Sequence, residues 1–336
     1  MTDAAAKASP MRVLVTGSAG HLGEALMRVL ADEPGMEPVG VDVLDSAHTT
    51  AVGSVTDRAF VRRWVHGADA VVHAATLHKP HVGSHEREAF VATNVTGTLN
   101  VLEEAVRSGV GAFVFTSSTT TFGRALTPPP GSPAAWITED VVPVPKNVYG
   151  VTKTAAEDLC ELVHRDHGLP CVILRTSRFF PEGDDRDDVR EAHDDLNLKV
   201  NELLYRRVDL EDVVTAHRLA LARARDIGFA RLIVSATTPF TRDDLPLLGR
   251  DAPAAVRRHF PGYEAVYAER GWRMFAVLDR VYVNARAREL LGWEPVYDFR
   301  YALDRLRAGE DPRSSLARAV GAKGYHAESF GPYTLR

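Results

Sequence analysis

Cysteine is nearly absent: 336 residues contain two, Cys160 and Cys171, both set in apolar pattern. That excludes a disulfide framework and a thiolate metal cluster, and it fits a reducing cytoplasm. A basic excess is also missing. Lys and Arg number 40 against 45 Asp and Glu, a net charge of −5, whereas a nucleic-acid surface normally shows a basic excess or a basic face. No apolar run approaches the length of a membrane-spanning helix. Met1 to Pro10 is small and polar, not a charged-then-apolar leader, so no membrane role is indicated and residues 1–10 are expected to be a disordered tail. Internal repeats and low-complexity tracts are missing as well. What remains, 45% hydrophobic and 25% charged residues, is ordinary for a globular chain that buries one large core or two coupled ones.

The first positive signal is Val13-Leu-Val-Thr-Gly17-Ser-Ala-Gly20-His21-Leu22-Gly23, an apolar run that breaks into three spaced glycines and then into helical pattern. This is the strand, turn and helix of a dinucleotide site. Gly17 permits a sharp turn, Gly20 lets backbone approach a pyrophosphate, and Gly23 lets the helix lie close on the strand. The phosphates would meet the free N–H groups of the helix N-terminus. A second strand, Pro38-Val-Gly-Val-Asp42, ends in an acid about twenty residues beyond Gly23, where a carboxylate bonds an adenine-ribose diol. No arginine lies in the turn or directly after Asp42 to accept a 2′-phosphate. NAD is therefore expected rather than NADP.

Further along, Asp69-Ala-Val-Val-His-Ala74-Ala75 is a continuous apolar run suited to a parallel strand covered on both faces, ending in small residues where a cofactor can approach. A helix is predicted over 87–108, with Asn94 within it. The strand Ala112-Phe-Val-Phe-Thr116-Ser117-Ser118 ends in hydroxyls, and ligands bind at the carboxyl ends of strands in a doubly wound sheet. A proline-rich loop from Pro128 to Pro145 precedes a helix that opens at Asn147. The strand Cys171–Arg175 follows, then an acidic stretch, 181–195, that reads as an exposed excursion or a mobile lid. A helix over 210–223 and a strand over 231–235 return to the sheet.

Tyr149 and Lys153 stand four apart on a predicted helix, hence on one face. A tyrosine has an ordinary pKa of about 10, too high for a base at neutral pH, and a lysine ammonium and a nicotinamide cation nearby would favour phenolate. Tyr149 would then exchange a proton with a secondary alcohol or ketone, Ser118 would hold the reacting oxygen, and Lys153 would assist both the phenol and the nicotinamide ribose.

In this motif order the chain resembles the extended short-chain dehydrogenase/reductase family, which includes sugar-nucleotide epimerases and dehydratases. The matching pieces are Thr16-Gly17-Ser-Ala-Gly20-His21-Leu22-Gly23, Asp42, His73-Ala74-Ala75, Asn94-Val-Thr-Gly97, Thr116-Ser117-Ser118-Thr119-Thr120-Thr-Phe-Gly123, Tyr149-Gly-Val-Thr-Lys153 and Leu174-Arg175. The resemblance implies an α/β fold, a Rossmann-like doubly wound parallel sheet with a smaller C-terminal substrate-binding domain. It also implies NAD and a catalytic set of Ser118, Tyr149 and Lys153. The cofactor residues it implies are Gly17, Gly20, His21, Leu22, Gly23, Asp42, Ser54, Val55, Ala74, Ala75, Asn94, Thr116, Ser117, Tyr149 and Lys153, Asn94 having an equal alternative as an interior amide. Lys79, Ser118, Thr119, Thr120, Tyr149 and Arg178 are the expected substrate contacts. Ser54 replaces a usual aspartate, for which Asp57 is a possible substitute, and Arg178 stands where a diphosphate is met, with a structural salt bridge as its alternative.

Expected boundaries are 11–178 plus 208–238 for the NAD-binding domain and 179–207 plus 239–336 for the substrate-binding region. Only about thirty residues separate Arg178 from Val208, short for a nucleotide-sugar pocket, so a smaller sugar-like substrate is expected of a dehydrogenase or epimerase. A nucleotide-sugar 4-epimerase with retained NAD and a non-catalytic NAD(H) sensor are the alternatives. His78, Lys79, His81 and His85 form a basic loop without the spacing of a metal site. The family pairs its two long helices into a four-helix bundle across a two-fold axis, so a homodimer is expected with Leu102, Leu159 and Val163 as contacts.

Overall fold

The computed structural model describes residues 9–183 and 187–323. Its first half alternates strand and helix: β1 (Met11–Thr16), α1 (His21–Ala31), β2 (Met36–Asp42), β3 (Ala51–Val52), α2 (Arg58–Val65), β4 (Ala70–His73), α3 (Arg87–Phe90), α4 (Gly97–Arg107), β5 (Ala112–Ser118), β6 (Ala135–Ile137), α5 (Val148–His167) and β7 (Cys171–Thr176). Short helices α6 (Asp187–Ala192) and α7 (Asp195–Leu203) precede α8 (Leu210–Ile227) and β8 (Phe229–Val234). The remainder is α9 (Leu245–Leu248), α10 (Ala252–His259), α11 (Tyr263–Ala268), β9 (Arg280–Tyr282), α12 (Ala285–Leu291), α13 (Phe299–Arg307) and α14 (Ser315–Val320).

Seven strands form one parallel sheet in the order β3-β2-β1-β4-β5-β7-β8. Parallel pairing requires crossovers, and the helices that supply them cover both faces, so central strands are apolar throughout instead of alternating with polar residues. Along β1, Val13 and Val15 face α1 and α8, and Leu14 faces α2, α4 and α5. This is the doubly wound sheet expected from the sequence. A further core joins α7 to α10, α11 and α13 through Leu203, Phe260, Tyr267 and Phe299, beside the two-stranded parallel pair β6-β9.

Several expectations need correction. The helix predicted over 87–108 is interrupted: Val91–Thr96 forms a π-turn between α3 and α4. The loop over 128–145 contains β6. Residues 285–293 and 315–320, placed by sequence with the substrate-binding region, pack on the sheet's α1/α8 side through Leu291, Trp293 and Val320. Leu102 and Val163, expected at a dimer interface, are buried inside the protomer between the sheet and its helices. Hydrophobicity does not tell an interface face from a core face, and the inward faces of α4 and α5 claim both residues. The expected tail lies, up to residue 8, outside the described residues.

Asp212 ties α8 to this C-terminal return. Its carboxylate accepts from the Val296 and Tyr297 N–H groups, each at 2.9 Å, and its carbonyl accepts the Trp293 indole N–H at 3.1 Å. Burial pushes the carboxyl up to about 7 despite those donors. Its native pKa therefore exceeds the unfolded one, and its contribution to stability is present at acid pH and lost as pH rises through about 7. Asp212→Asn turns one acceptor into a donor facing an N–H, so urea unfolding should show a loss of about 1–3 kcal/mol. The decline in stability between about pH 4 and 7 should flatten in the same variant.

Candidate active site

The three glycines of the β1–α1 turn are each required for a different reason. Gly17 has φ +79°, and a Cβ there would sit 2.8 Å from the Ala75 nitrogen. A Cβ at Gly23 would fall 1.9 Å from the Gly17 oxygen, so backbone packs directly on backbone. At Gly20 the nearest atom is the Gly17 oxygen at 3.3 Å, leaving space above the helix start. No side chain caps α1 at Gly20 among the described residues, so its first N–H groups remain available to an anion. Asp42 braces the turn, accepting from Ala19 N and Leu44 N at 2.9 Å each.

This turn opens on a cleft of about 1190 Å³ along the carboxyl ends of the strands. Gly17, Gly20, His21, Leu22, Gly23, Asp42, Ser54, Val55, Ala74 and Ala75 line one end; Thr116 to Thr120, Tyr149, Lys79 and Arg178 line the other. Lys153 and Asn94 stand behind that wall, both buried.

Tyr149 and Lys153 project from the first turns of α5, which Asn147 caps by accepting from Gly150 N. Burial pushes the Tyr149 phenol up to about 12, and its hydrogen bond with Ser118 works in the opposite direction. Burial pushes Lys153 down to about 7, opposed by the charge of Glu157. Tyr149 is thus a protonated phenol in the protein's own field, and the phenolate expected from sequence depends on a nicotinamide cation as well as on the ammonium. Lys153 Nζ donates to the Thr116 carbonyl at 2.6 Å and lies 3.9 Å from the centre of the Phe115 ring. The two serines diverge. Ser118 lines the cleft, accepts from Thr120 N at 3.1 Å and donates to the Thr120 hydroxyl at 2.9 Å. Ser117 is buried and donates to Glu157 at 2.5 Å.

Asn94 sits in the π-turn. Its amide oxygen accepts from Leu77 N and the Thr76 hydroxyl, and its nitrogen donates to Leu77 O and Thr152 Oγ. All its capacity is used inside the protein, so it is an interior amide joining the end of β4 to α5 and not a direct cofactor contact. Asp57 caps α2, its Oδ1 accepting from Ala59 N and Phe60 N, and it does not line the cleft, whereas Ser54 does. Arg178 meets the buried Glu202 at 3.2 Å while also lining the cleft.

Several participants escaped the sequence reading. His217 Nδ1 faces the Val213 carbonyl at 2.8 Å and so carries the hydrogen; Nε2 then accepts the Thr116 hydroxyl at 2.8 Å. Burial lowers its pKa to about 4 and that of His73 to about 3, keeping both neutral. Glu157, Arg206, Arg280 and Lys323 were also missed. Glu157 alone left a trace, four residues beyond Lys153 on the same helix face. Among the described residues no group of His, Cys, Asp and Glu side chains is arranged to hold a metal ion.

A family model described as the NAD-dependent epimerase/dehydratase family matches residues 13–231, well over half of the chain. The chain belongs to that family. It is similar to a UDP-glucose 4-epimerase of Azospirillum brasilense, 27% identical with 96% of this chain and 97% of that one covered. It is also similar to an NAD-dependent glucose-6-phosphate dehydrogenase of Haloferax volcanii, 32% identical with 48% and 66% covered. In fold it is similar to a short-chain dehydrogenase/reductase superfamily protein of Agrobacterium tumefaciens solved with bound NAD, at 24% identity and a TM-score of 0.63, with 92% of this chain and 97% of that one covered. The protein is thus an NAD-dependent enzyme of the extended short-chain dehydrogenase/reductase type, and the open backbone at Gly20, the uncapped helix start and the acid closing β2 fit that cofactor.

The divergence of the serines is directly testable. If Ser118 holds the reacting oxygen, Ser118→Ala should lower kcat by about ten- to a hundred-fold, with a stability loss of no more than about 1 kcal/mol from the lost cap at Thr120. Ser117→Ala should leave the rate within a few-fold and instead lower stability by about 1–3 kcal/mol, because Glu157 loses a buried donor. A larger rate loss at Ser117 would show that the wrong hydroxyl has been assigned.

Proposed function

We propose that this enzyme transfers hydride between NAD and a secondary alcohol or ketone of a small sugar-like substrate that carries no nucleotide. Bound NAD supplies the hydride acceptor and donor. Ser118 holds the reacting oxygen by its hydroxyl; Tyr149 passes a proton to or from that oxygen; Lys153, one helical turn beyond Tyr149 and behind the cleft wall, is assigned to assist the phenol and the nicotinamide ribose. The reading rests on one observation: the Ser118–Tyr149 pair opens onto the same cleft as the Gly17–Gly23 turn. The assigned diphosphate contacts are the turn's backbone from Gly17 through His21 and Leu22 to Gly23. Asp42 is assigned to the adenine ribose, Ser54 and Val55 to the adenine side, and Ala74, Ala75, Thr116 and Ser117 to the nicotinamide side. Lys79, Thr119, Thr120 and Arg178 are assigned to the substrate end.

The small substrate is supported by the chain between β7 and α8. It leaves at Arg178 and rejoins at Arg207 through a parallel bridge, a short excursion for recognising a nucleotide. The Haloferax relative, named for a non-nucleotide sugar phosphate, agrees with this reading. The near full-length match to a UDP-glucose 4-epimerase favours a second reading, an epimerase acting on a nucleotide sugar. Screening uronic acids, sugar phosphates and nucleotide sugars separates them: a dehydrogenase accumulates NADH, an epimerase yields isomer without it. With the accepted substrate, Tyr149→Phe should reduce turnover by about a hundred- to ten-thousand-fold while NAD affinity and folding persist. Turnover near that of the parent would defeat the mechanism.

We further propose a cytoplasmic homodimer. Both cysteines are free thiols, as a reducing compartment would keep them. No helix of the described residues is long and apolar enough to cross a membrane. Pairing through a four-helix bundle would use what α5 and the π-turn expose, namely Leu162 (39%), Val151 (53%) and Val91 (48%), with half-buried Leu159 at the rim. Light scattering at micromolar concentration should give a dimer mass, and a Val151→Glu, Leu162→Glu double variant a monomer. A monomeric parent protein would remove this assembly.

A further inference from the structure

Glu24 is poorly placed for a protein that binds a diphosphate. It lies in the first turn of α1, 11% exposed, on the helix whose start at Gly20 faces the cleft. A carboxylate there suits the helix dipole but repels an anion docking at the same turn. Three cationic or basic side chains meet it: Arg28 at 2.7 Å, His48 at 3.7 Å and the ammonium of Lys323. Of these, Lys323 is the one that also lines the cleft.

Lys323 arrives from the far end of the described chain and is held there. Its backbone N–H donates to Glu182 Oε1 at 2.9 Å, and that oxygen also meets His21 Nε2 at 2.7 Å. The Glu182 side chain is 1% exposed. Burial alone would raise its pKa, yet His21 and the Lys323 N–H hold it below the usual carboxylate range. A carboxylate so buried requires such partners. The contact is therefore a two-point attachment of the segment after α14 to the first turn of α1: Lys323 side chain to Glu24, and Lys323 backbone through Glu182 to His21.

We propose that Lys323 completes the diphosphate half of the NAD site. Its ammonium covers Oε2 of Glu24, the oxygen left open by Arg28 and His48, which both meet Oε1, and its attachment through Glu182 and His21 closes the cleft wall beside the glycine turn. This rests on the NAD reading above and adds to it a residue from outside the region matched by the family.

Direct binding of NAD and of ADP-ribose, followed by calorimetry, tests it without turnover. Both carry the diphosphate, so Lys323→Met should weaken both by about ten-fold, as expected for loss of one partly screened charge. Lys323→Arg should retain affinity. Adding Glu24→Gln to Lys323→Met should restore binding to within about two-fold, because the uncovered carboxylate is gone. Glu24→Gln alone, which keeps Lys323, should tighten binding and serves as the decisive variant if Lys323→Met does not fold. Unchanged affinity in Lys323→Met, failure of Glu24→Gln to restore it, or no tightening in Glu24→Gln alone would overturn the assignment of Lys323. Failure of the parent protein to bind NAD would overturn the cofactor reading instead.

Discussion

The arrangement of the active site depends on a buried carboxylate. Glu157, 1% exposed, accepts from Arg175 at 2.7 Å and 3.1 Å, from Arg231 at 3.3 Å and from Ser117 at 2.5 Å. These partners lie on β7, β8 and β5, so a single side chain of α5 is fastened to three adjacent strands. Such a network is not a reservoir of stability, because desolvating the charges consumes most of their attraction. Its consequence is positional. Removing the Arg175 guanidinium would leave the Glu157 charge stranded, at a cost of about 3–5 kcal/mol, so the helix is held to this position against the sheet. Tyr149, Lys153 and Glu157 step along one face of α5, and fastening the last of them sets the other two at the ends of the strands.

The seam continues outward. Arg175 also reaches the Glu139 carbonyl at 3.4 Å, and the Glu139 carboxylate accepts from Ile233 N at 2.9 Å. On the cleft side Glu202 joins Arg178, Arg206 and Arg207, at the bridge where the chain leaves the sheet's domain and returns to it. Arg178 is thus in both settings, facing the cleft and paired with a carboxylate, that of Glu202, which lies outside the acidic run 181–195.

Sequence conveyed what local pattern controls. Gly17, Gly20 and Gly23 act within seven residues of one another, and the strand runs at 70–73 and 112–118 are apolar because both faces are covered. Ser117 and Ser118 part in their hydrogen bonds, one donating to the buried Glu157 and the other to Thr120, while the choice of Ser118 as the catalytic hydroxyl comes from the resemblance at Phe122 and Gly123. Sequence was silent or misleading where the partner is distant. Asn94 has a polar side chain on a helix in any linear reading, and only folding brings Leu77 and Thr152 to it. Leu102 and Val163 have the spacing of an exposed apolar stripe and of a core stripe alike. His217 and Lys323 carry no local mark, since Thr116 and Glu24 lie 101 and 299 residues away. The C-terminal return through Trp293 eluded the division into domains because a single buried carboxylate, Asp212, fastens it.

Electrostatics and architecture meet again on α5. Burial disfavours charge on both functional groups, and because one is an acid when neutral and the other a base, it moves them in opposite directions, Tyr149 up to about 12 and Lys153 down to about 7. Left to burial alone, phenol and amine would both rest neutral and the phenol would resist giving up its proton. The charge that acts against this at Lys153 belongs to Glu157, the residue that fixes the helix. An ammonium kept at Lys153 lowers the energy of a phenolate one turn away, as would any cation brought beside the ring. The carboxylate that sets where Tyr149 stands therefore also favours the charged form of Lys153, one turn along the same face, so position and charge on this helix are set by a single residue.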